Sequence, residues 1–241
     1  MSGHSKWNNI KRKKEKTDAQ KAKIFTKIGR EMAIVVREGG PDPENNSKLR
    51  DCIAKANNVP NDNIERIIKK AAGEGDGREY EEITYEGYGP EGVAVVVETL
   101  TDNRNRTAGD LRHYFDKNGG NLGQPGSVMF MFNRTGMLRI VAEGLSEDAV
   151  MEDALDAGAS DFNSDGEIFE ISTEPNDLGK VRDSLDAKGY SFVSAEVEYI
   201  PTTGASIADE DNISRMQRLI DMLEENDDIQ AVWHNWENVP E

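Results

Sequence analysis

The chain has 241 residues and a mass of 26.8 kDa, with 36% hydrophobic and 31% charged residues and a formal net charge of −17. At roughly 100–200 residues per domain it can hold two or three cores, and apolar runs such as Gly92–Leu100 argue against wholesale disorder. No stretch approaches the roughly 18 apolar residues of a membrane helix, the Lys-rich start lacks the apolar core of a secretory signal, and the single Cys52 leaves no internal disulfide or multi-cysteine metal site, so a cytoplasmic protein is expected.

Charge is polarised along the chain. Residues 1–30 carry ten Lys/Arg against two Asp/Glu, a net of +8, whereas residues 141–241 carry five against 26, a net of −21. A basic arm is an electrostatic footprint for phosphate backbones. The acidic remainder repels them, so a nucleic acid is expected to touch one end only. The competing reading is a solvated basic tail without a partner.

Residues 1–15 show no apolar periodicity and read as an extended arm. Thr17–Asp18 can cap a helix running to about Glu38, with Ile24, Ile28, Met32 and Val35 on its apolar face and Gly39-Gly40-Pro41 ending it. Lys16, Lys23, Lys27 and Arg30 form a separate stripe on that helix. Further amphipathic helices are predicted over about Pro43–Asn57 and Asp62–Ala72, which makes a small three-helix bundle, and Gly73–Gly77 reads as a linker. The period then changes. Gly92–Leu100 is a β-branched buried strand, Thr107–Asn118 a helix and Ser127–Phe132 a strand. Residues 137–200 spell β-α-β-β-α-β, with a hairpin at Asp165-Gly166, which is the split-βαβ sandwich. A helix over Asp211–Glu225 and a strand over Ile229–Trp236 follow. Alone, that last pair has no sheet to join. It is therefore expected to return and complete the unit begun at Gly92, and the two β/α units can share one topology.

The predicted class is α+β: an N-terminal three-helix bundle followed by two ferredoxin-like α/β sandwiches, one inserted into the other. The expected division is 1–77 for arm and bundle, 78–133 plus 205–241 for the domain closed by the C-terminal segment, and 134–204 for the insert.

Several motifs tempt. Gly87-Tyr-Gly89-Pro-Glu-Gly92 matches G-x-G-x-x-G, but Pro90 intrudes and a strand follows where a dinucleotide site needs a helix, so it reads as a hairpin turn. Asp161–Gly166 matches half a calcium loop, but its twelfth position is Ser172, so it reads as a hairpin tip. His4, His113 and His234 lack any metal spacing. With no nucleophile elbow or phosphate-binding loop either, no enzyme, cofactor, metal or small-molecule substrate is expected.

Two segments stand out. Gly3–Asn8, leading into Lys11–Lys14, sets Trp7 beside cations. Trp7 can stack on a base while Lys6, Lys11, Arg12, Lys13 and Lys14 neutralise phosphates; alternatively Trp7 packs on the bundle. In Asp102-Asn-Arg104-Asn-Arg106-Thr107, two arginines at a helix start can grip phosphates, or can form a capping network in which Asp102 pairs with an arginine. The loop Gly119–Ser127 can approach a backbone closely but is favoured as a turn.

At these places the sequence resembles the YebC/PmpR family. The matching stretches are GHSKW at 3–7, KIFTKIGRE at 23–31, YEGYGPEG at 85–92, DNRNRT at 102–107, GGNLG at 119–123 and RLIDMLEENDD at 218–228. The resemblance implies three domains and no enzymatic activity. It implies a DNA-binding transcriptional regulator, or alternatively a ribosome-associated translation factor that binds ribosomal RNA. The cations lie on an arm and one helix stripe, with no obvious base-reading set, which favours backbone and shape contacts. No feature names a target or an oligomeric state.

Overall fold

The structure is a computed structural model that describes residues 18–56, 61–73 and 80–240. It is α+β: the described residues form seven α-helices and two four-stranded sheets. The chain divides into two compact units. One spans residues 133–200; the other joins the helical bundle to the strands and helices on either side of that segment.

The bundle consists of α1 (Asp18–Gly39), α2 (Ser47–Lys55) and α3 (Asn61–Ala72). Met32, Val35 and Val36 pack with Leu49, Cys52, Ala56 and Ile64, so the periodic apolar positions are the core. Asn46 decides where α2 starts. Its Oδ1 accepts from Leu49 N at 3.1 Å as the N-cap, while its Nδ2 donates to Val35 O and Gly40 O at 2.7 and 2.9 Å. The helix predicted from Pro43 therefore begins at Ser47, and one side chain closes α1 and opens α2. A Cβ at Gly39 would lie 2.7 Å from this Asn46 amide, which explains glycine there.

The first sheet holds β1 (Glu81–Tyr88), β2 (Ala94–Thr101), β3 (Asn121–Leu122) and β8 (Ile229–His234) in the order β3-β1-β2-β8. A short turn of helix at Pro90–Gly92 joins β1 to β2, so the glycine motif is a hairpin connection. Between β2 and β3 runs α4 (Arg104–Lys117), and α7 (Glu210–Glu225) precedes β8. Val95 and Val97 face Leu111 and Phe115 of α4 and Met216, Leu219 and Leu223 of α7 in one buried cluster. A Cβ at Gly87 would lie 2.7 Å from the Phe115 ring, so that strand position accepts only glycine without a shift. The antiparallel β2–β8 register, with Val97 opposite Val232, places the C-terminal strand in this sheet.

Three features depart from the sequence expectation. The loop Gly119–Ser127, which its sequence favours as a turn, carries β3 paired with β1 and brings Gly120 against the backbone of Tyr88 and Gly89. Glu81–Tyr88 is a strand that the period reading left unassigned. Ser127–Phe132 is not a strand: it holds a helical turn at Met129–Met131, because its N–H groups have another acceptor. The carboxylate of Glu86 takes Gly126 N at 2.6 Å and Val128 N and Met129 N at 2.8 Å each. A ladder cannot use amides so engaged.

The second unit contains β4 (Phe132–Val141), α5 (Glu147–Ala157), β5 (Asp161–Ser164), β6 (Ile168–Thr173), α6 (Leu178–Ala187) and β7 (Phe192–Pro201) in the sheet order β5-β6-β4-β7. Leu138, Ile140, Phe169 and Ile171 meet Val150, Ala154, Val181 and Leu185 of the helices. Arg139 alternates to the other face. There it is buried and forms a two-pronged pair with Glu198, and its Nε donates to Glu170 at 2.9 Å. The Asp165-Gly166 turn is a hairpin tip in which Asp165 Oδ1 accepts from Glu167 N and Ile168 N at 2.9 and 2.8 Å.

The two sheets share a spatial plan. Counting β4 to β7 as first to fourth, the second sheet reads 2-3-1-4. The first sheet reads the same if β2, β3 and β8 are first, second and fourth and β1 fills the third place from an earlier point in the chain. The unit is a split βαβ whose third strand arrives first.

Candidate nucleic-acid interface

Of the twelve residues singled out as candidates, Lys6, Trp7, Lys11, Arg12, Lys13, Lys14 and Lys16 lie outside the described residues, and Lys23 is described only as backbone within α1. The remaining four are Lys27, Arg30, Arg104 and Arg106. Three of them converge on the turn that links α7 to β8.

The last carbonyls of an α-helix lack intrahelical donors and carry the negative end of its dipole. Lys27 Nζ donates to Glu224 O at 3.0 Å, and Arg30 Nη1 donates to Asp227 O at 2.8 Å, so α1 supplies that end of α7 with cations. The Arg30 guanidinium also sits 5.6 Å above the Tyr80 ring. From the other side comes Arg106, on the first turn of α4. Asn103 caps that helix by accepting Arg106 N at 3.1 Å.

Asp228 is the common acceptor. Its Oδ1 takes Arg30 Nη1 at 2.9 Å; its Oδ2 takes Arg106 Nη2 at 2.7 Å and Thr107 Oγ1 at 2.8 Å. Thr101 Oγ1 adds a longer bond at 3.3 Å. The Asp228 side chain is 6% exposed. Burial pushes its carboxyl up, but the bonds from Arg106, Thr107 and Arg30 outweigh that and hold it below the usual carboxylate range. Its partner is shifted in the matching sense: bonds to Asp228 and Asp102 raise the Arg106 guanidinium above its ordinary value.

Two arginines, two hydroxyls and a helix N-terminus make an anion site in chemical terms. Here the anion is the protein's own Asp228. The Asp102–Thr107 segment thus follows the capping reading: Arg106 pairs with Asp102 at 2.8 Å as well as with Asp228. An open cleft of about 370 Å³ adjoins it, and five of its lining residues, Asp102, Asp110, Glu225, Asp227 and Asp228, are carboxylates against Arg30 and Arg106. Such a wall repels phosphate. Arg104, two positions from Arg106, is exposed.

Sequence reasoning missed Asp228, Glu86 and Phe130. Asp228 sits in the acidic run Glu224–Asp228, and nothing local distinguishes it from its neighbours. Glu86 interrupts the alternation of a strand, and buried charge in a strand is a usable signal. Burial raises the Glu86 carboxyl, but the three backbone N–H bonds lower it further, so it stays ionised and holds its loop. Phe130, at the end of that loop, is 74% exposed. Of the other residues weighed for chemistry, Cys52 is buried in the bundle core and His113 is exposed on α4.

Comparison with known proteins agrees along the whole chain. Residues 5–74 match the TACO1/YebC protein N-terminal domain, and residues 80–236 match the TACO1/YebC second and third domain. A relative from Acetivibrio thermocellus, called a probable transcriptional regulatory protein, is 61% identical over 98% of this chain and 99% of its own. Another so called, from Finegoldia magna, is 59% identical over 99% and 100%. Among solved structures, a conserved hypothetical protein from Aquifex aeolicus superposes with a TM-score of 0.80 at 43% identity, covering 92% of each chain. By sequence along its whole length and by fold, the chain belongs to the TACO1/YebC family.

Proposed function

We propose that this protein is a non-enzymatic, nucleic-acid-binding regulator of gene expression in the cytoplasm, and that it acts as a DNA-binding transcriptional regulator through the basic segment 6–30. The carrying observation is the charge distribution, +8 over residues 1–30 against −21 over residues 141–241. Neutralising phosphates releases counterions and supplies affinity without base contacts. The relatives named probable transcriptional regulatory proteins support the regulatory role. In this reading Lys6, Lys11, Arg12, Lys13, Lys14, Lys16 and Lys23 carry the phosphate contacts and Trp7 stacks. Arg104 assists from α4. Lys27, Arg30 and Arg106 hold the α7–β8 turn instead. The three-part division into bundle, interrupted domain and insert belongs to the same reading. No described helix is long and apolar enough to cross a membrane.

One observation favours a second reading. Arg106, at the start of α4, is engaged by Asp228, so a phosphate or base contact by that residue requires the pair to break. Backbone and shape recognition suits ribosomal RNA, and the alternative is a ribosome-associated translation factor. Sedimentation of a lysate with and without DNase separates the two. Ribosome association that survives DNase supports translation; retention on a promoter fragment over competitor DNA supports transcription. A protein that does neither overturns both.

A further inference from the structure

The loop between α4 and β4 holds one aromatic ring out in solvent and fixes everything around it. Phe130 is 74% exposed, while Val128 and Phe132 on either side are 0% and 6% exposed. A mobile loop could fold such a ring onto the protein; this one is over-determined. Glu86 accepts three of its amides, Tyr88 Oη donates to Ser127 O at 2.8 Å, and Gly123 N donates to Glu86 O at 2.7 Å. Beyond the ring, Thr202 donates to Met131 O through its N–H at 2.8 Å and its hydroxyl at 3.0 Å.

The chemistry around the ring is selective. Residues 119–131 (GGNLGQPGSVMFM) hold no charged side chain, in a chain that is 31% charged. The one charge beneath them, on Glu86, is buried and already bonded to backbone amides. Gln124, Pro125 and Gly126 are exposed and small or polar, and Met129 and Met131 beside the ring are half-buried, so Phe130 is the one large apolar side chain of this loop that is exposed. An exposed, rigidly held aromatic in an uncharged loop fits the face of a nucleobase, which every base offers whatever the sequence.

We propose that Phe130 is a stacking residue for an unpaired base of a single-stranded nucleic acid. The proposal rests on the nucleic-acid reading above. It adds a contact that is independent of charge and more than 100 residues from the basic arm in sequence.

The test is a fluorescence titration of the full chain with fluorescein-labelled oligo(U) and oligo(dT) at several salt concentrations. The variants are Phe130→Ala, Phe130→Leu, Phe130→Trp and one with Lys11, Arg12, Lys13 and Lys14 changed to Ser. Stacking predicts that Phe130→Ala weakens binding by roughly 5- to 150-fold with an unchanged salt slope and melting temperature. Phe130→Trp should restore affinity and Phe130→Leu should not. Loss with oligo(U) alone assigns RNA, and loss with oligo(dT) alone assigns single-stranded DNA. If Phe130→Ala, or Phe130→Leu, binds like the wild type while the arm variant is weakened, the stacking proposal falls and the arm reading stands. A wild-type protein that binds duplexes but neither single strand has the same effect. If neither the arm variant nor Phe130→Ala changes binding, both readings fall.

Discussion

Arg106 Nη2 lies 2.7 Å from Asp228 Oδ2, although 122 residues separate the two along the chain. With Arg30, which reaches the same carboxylate from 198 residues away, this makes one acidic side chain the meeting point of α1, α4 and the turn before β8. The bundle and the first sheet are held together there by charge.

Replacing that carboxylate should therefore cost stability. Asp228→Asn removes the charge that two guanidinium groups and two hydroxyls share. Breaking a buried pair from one side costs about 3–5 kcal/mol, but the Arg106 side chain is 44% exposed and water screens part of the loss. The expected destabilisation is about 2 kcal/mol, read from urea unfolding of the full chain. A variant as stable as the wild type contradicts the role assigned to the turn.

The same geometry sets an acid limit. Asp228 and Glu86 both have carboxyls held below the ordinary value of about 4. A depressed folded-state pKa gives stability that is complete above the unfolded value and is lost as pH falls through the folded one. Melting temperature should be flat in this respect from pH 7 to about 5 and then fall below about 4. Glu86→Gln should lower the plateau and shrink the fall, because its contribution no longer titrates.

Salt dependence separates arm from turn. If about five of the arm cations engage phosphates, the log–log slope is about −3.5 to −4.5. The variant carrying Ser at Lys11, Arg12, Lys13 and Lys14 should flatten that slope and weaken binding to all sequences alike. Trp7→Ala should weaken binding and leave the slope in place. Arg30→Ala should do the opposite of the arm variant, lowering the melting temperature while changing the slope little, since its guanidinium already serves Asp228.

In the second unit Arg139 offers a contrast between breaking and replacing a pair. Burial alone would lower its pKa, but Glu198 and Glu170 raise it, so the guanidinium stays charged. Arg139→Met leaves two carboxylates facing each other with no cation, and about 3–5 kcal/mol of destabilisation is expected. The double change Arg139→Met with Glu198→Leu should recover much of that loss. Denaturant unfolding of both variants provides the comparison.

Legibility followed the range of the interactions involved. Periodicity located α1–α3, the split βαβ of residues 137–200 and the return of the C-terminal strand, because those depend on spacing of apolar residues within a segment. It misjudged Ser127–Phe132, whose conformation is set by Glu86, about 40 residues earlier. It left Arg104 and Arg106 between two roles for the same reason. The deciding carboxylate lies in another run of acids at the far end of the chain. Phe130 looked like a strand residue; only the pinned loop shows it standing in solvent.

The shared strand order carries a consequence for synthesis. In the second unit all four strands are consecutive, so its sheet can close as soon as residue 201 has emerged. In the first sheet β2, with the buried run Ala94–Val97, must wait about 130 residues for β8 to cover its second edge. At roughly 5–20 residues per second that is on the order of 6–26 s during which an apolar strand lies open on a growing chain. A chain stopped before residue 229 would keep that edge permanently, and would be the form most exposed to aggregation and to the cell's proteases.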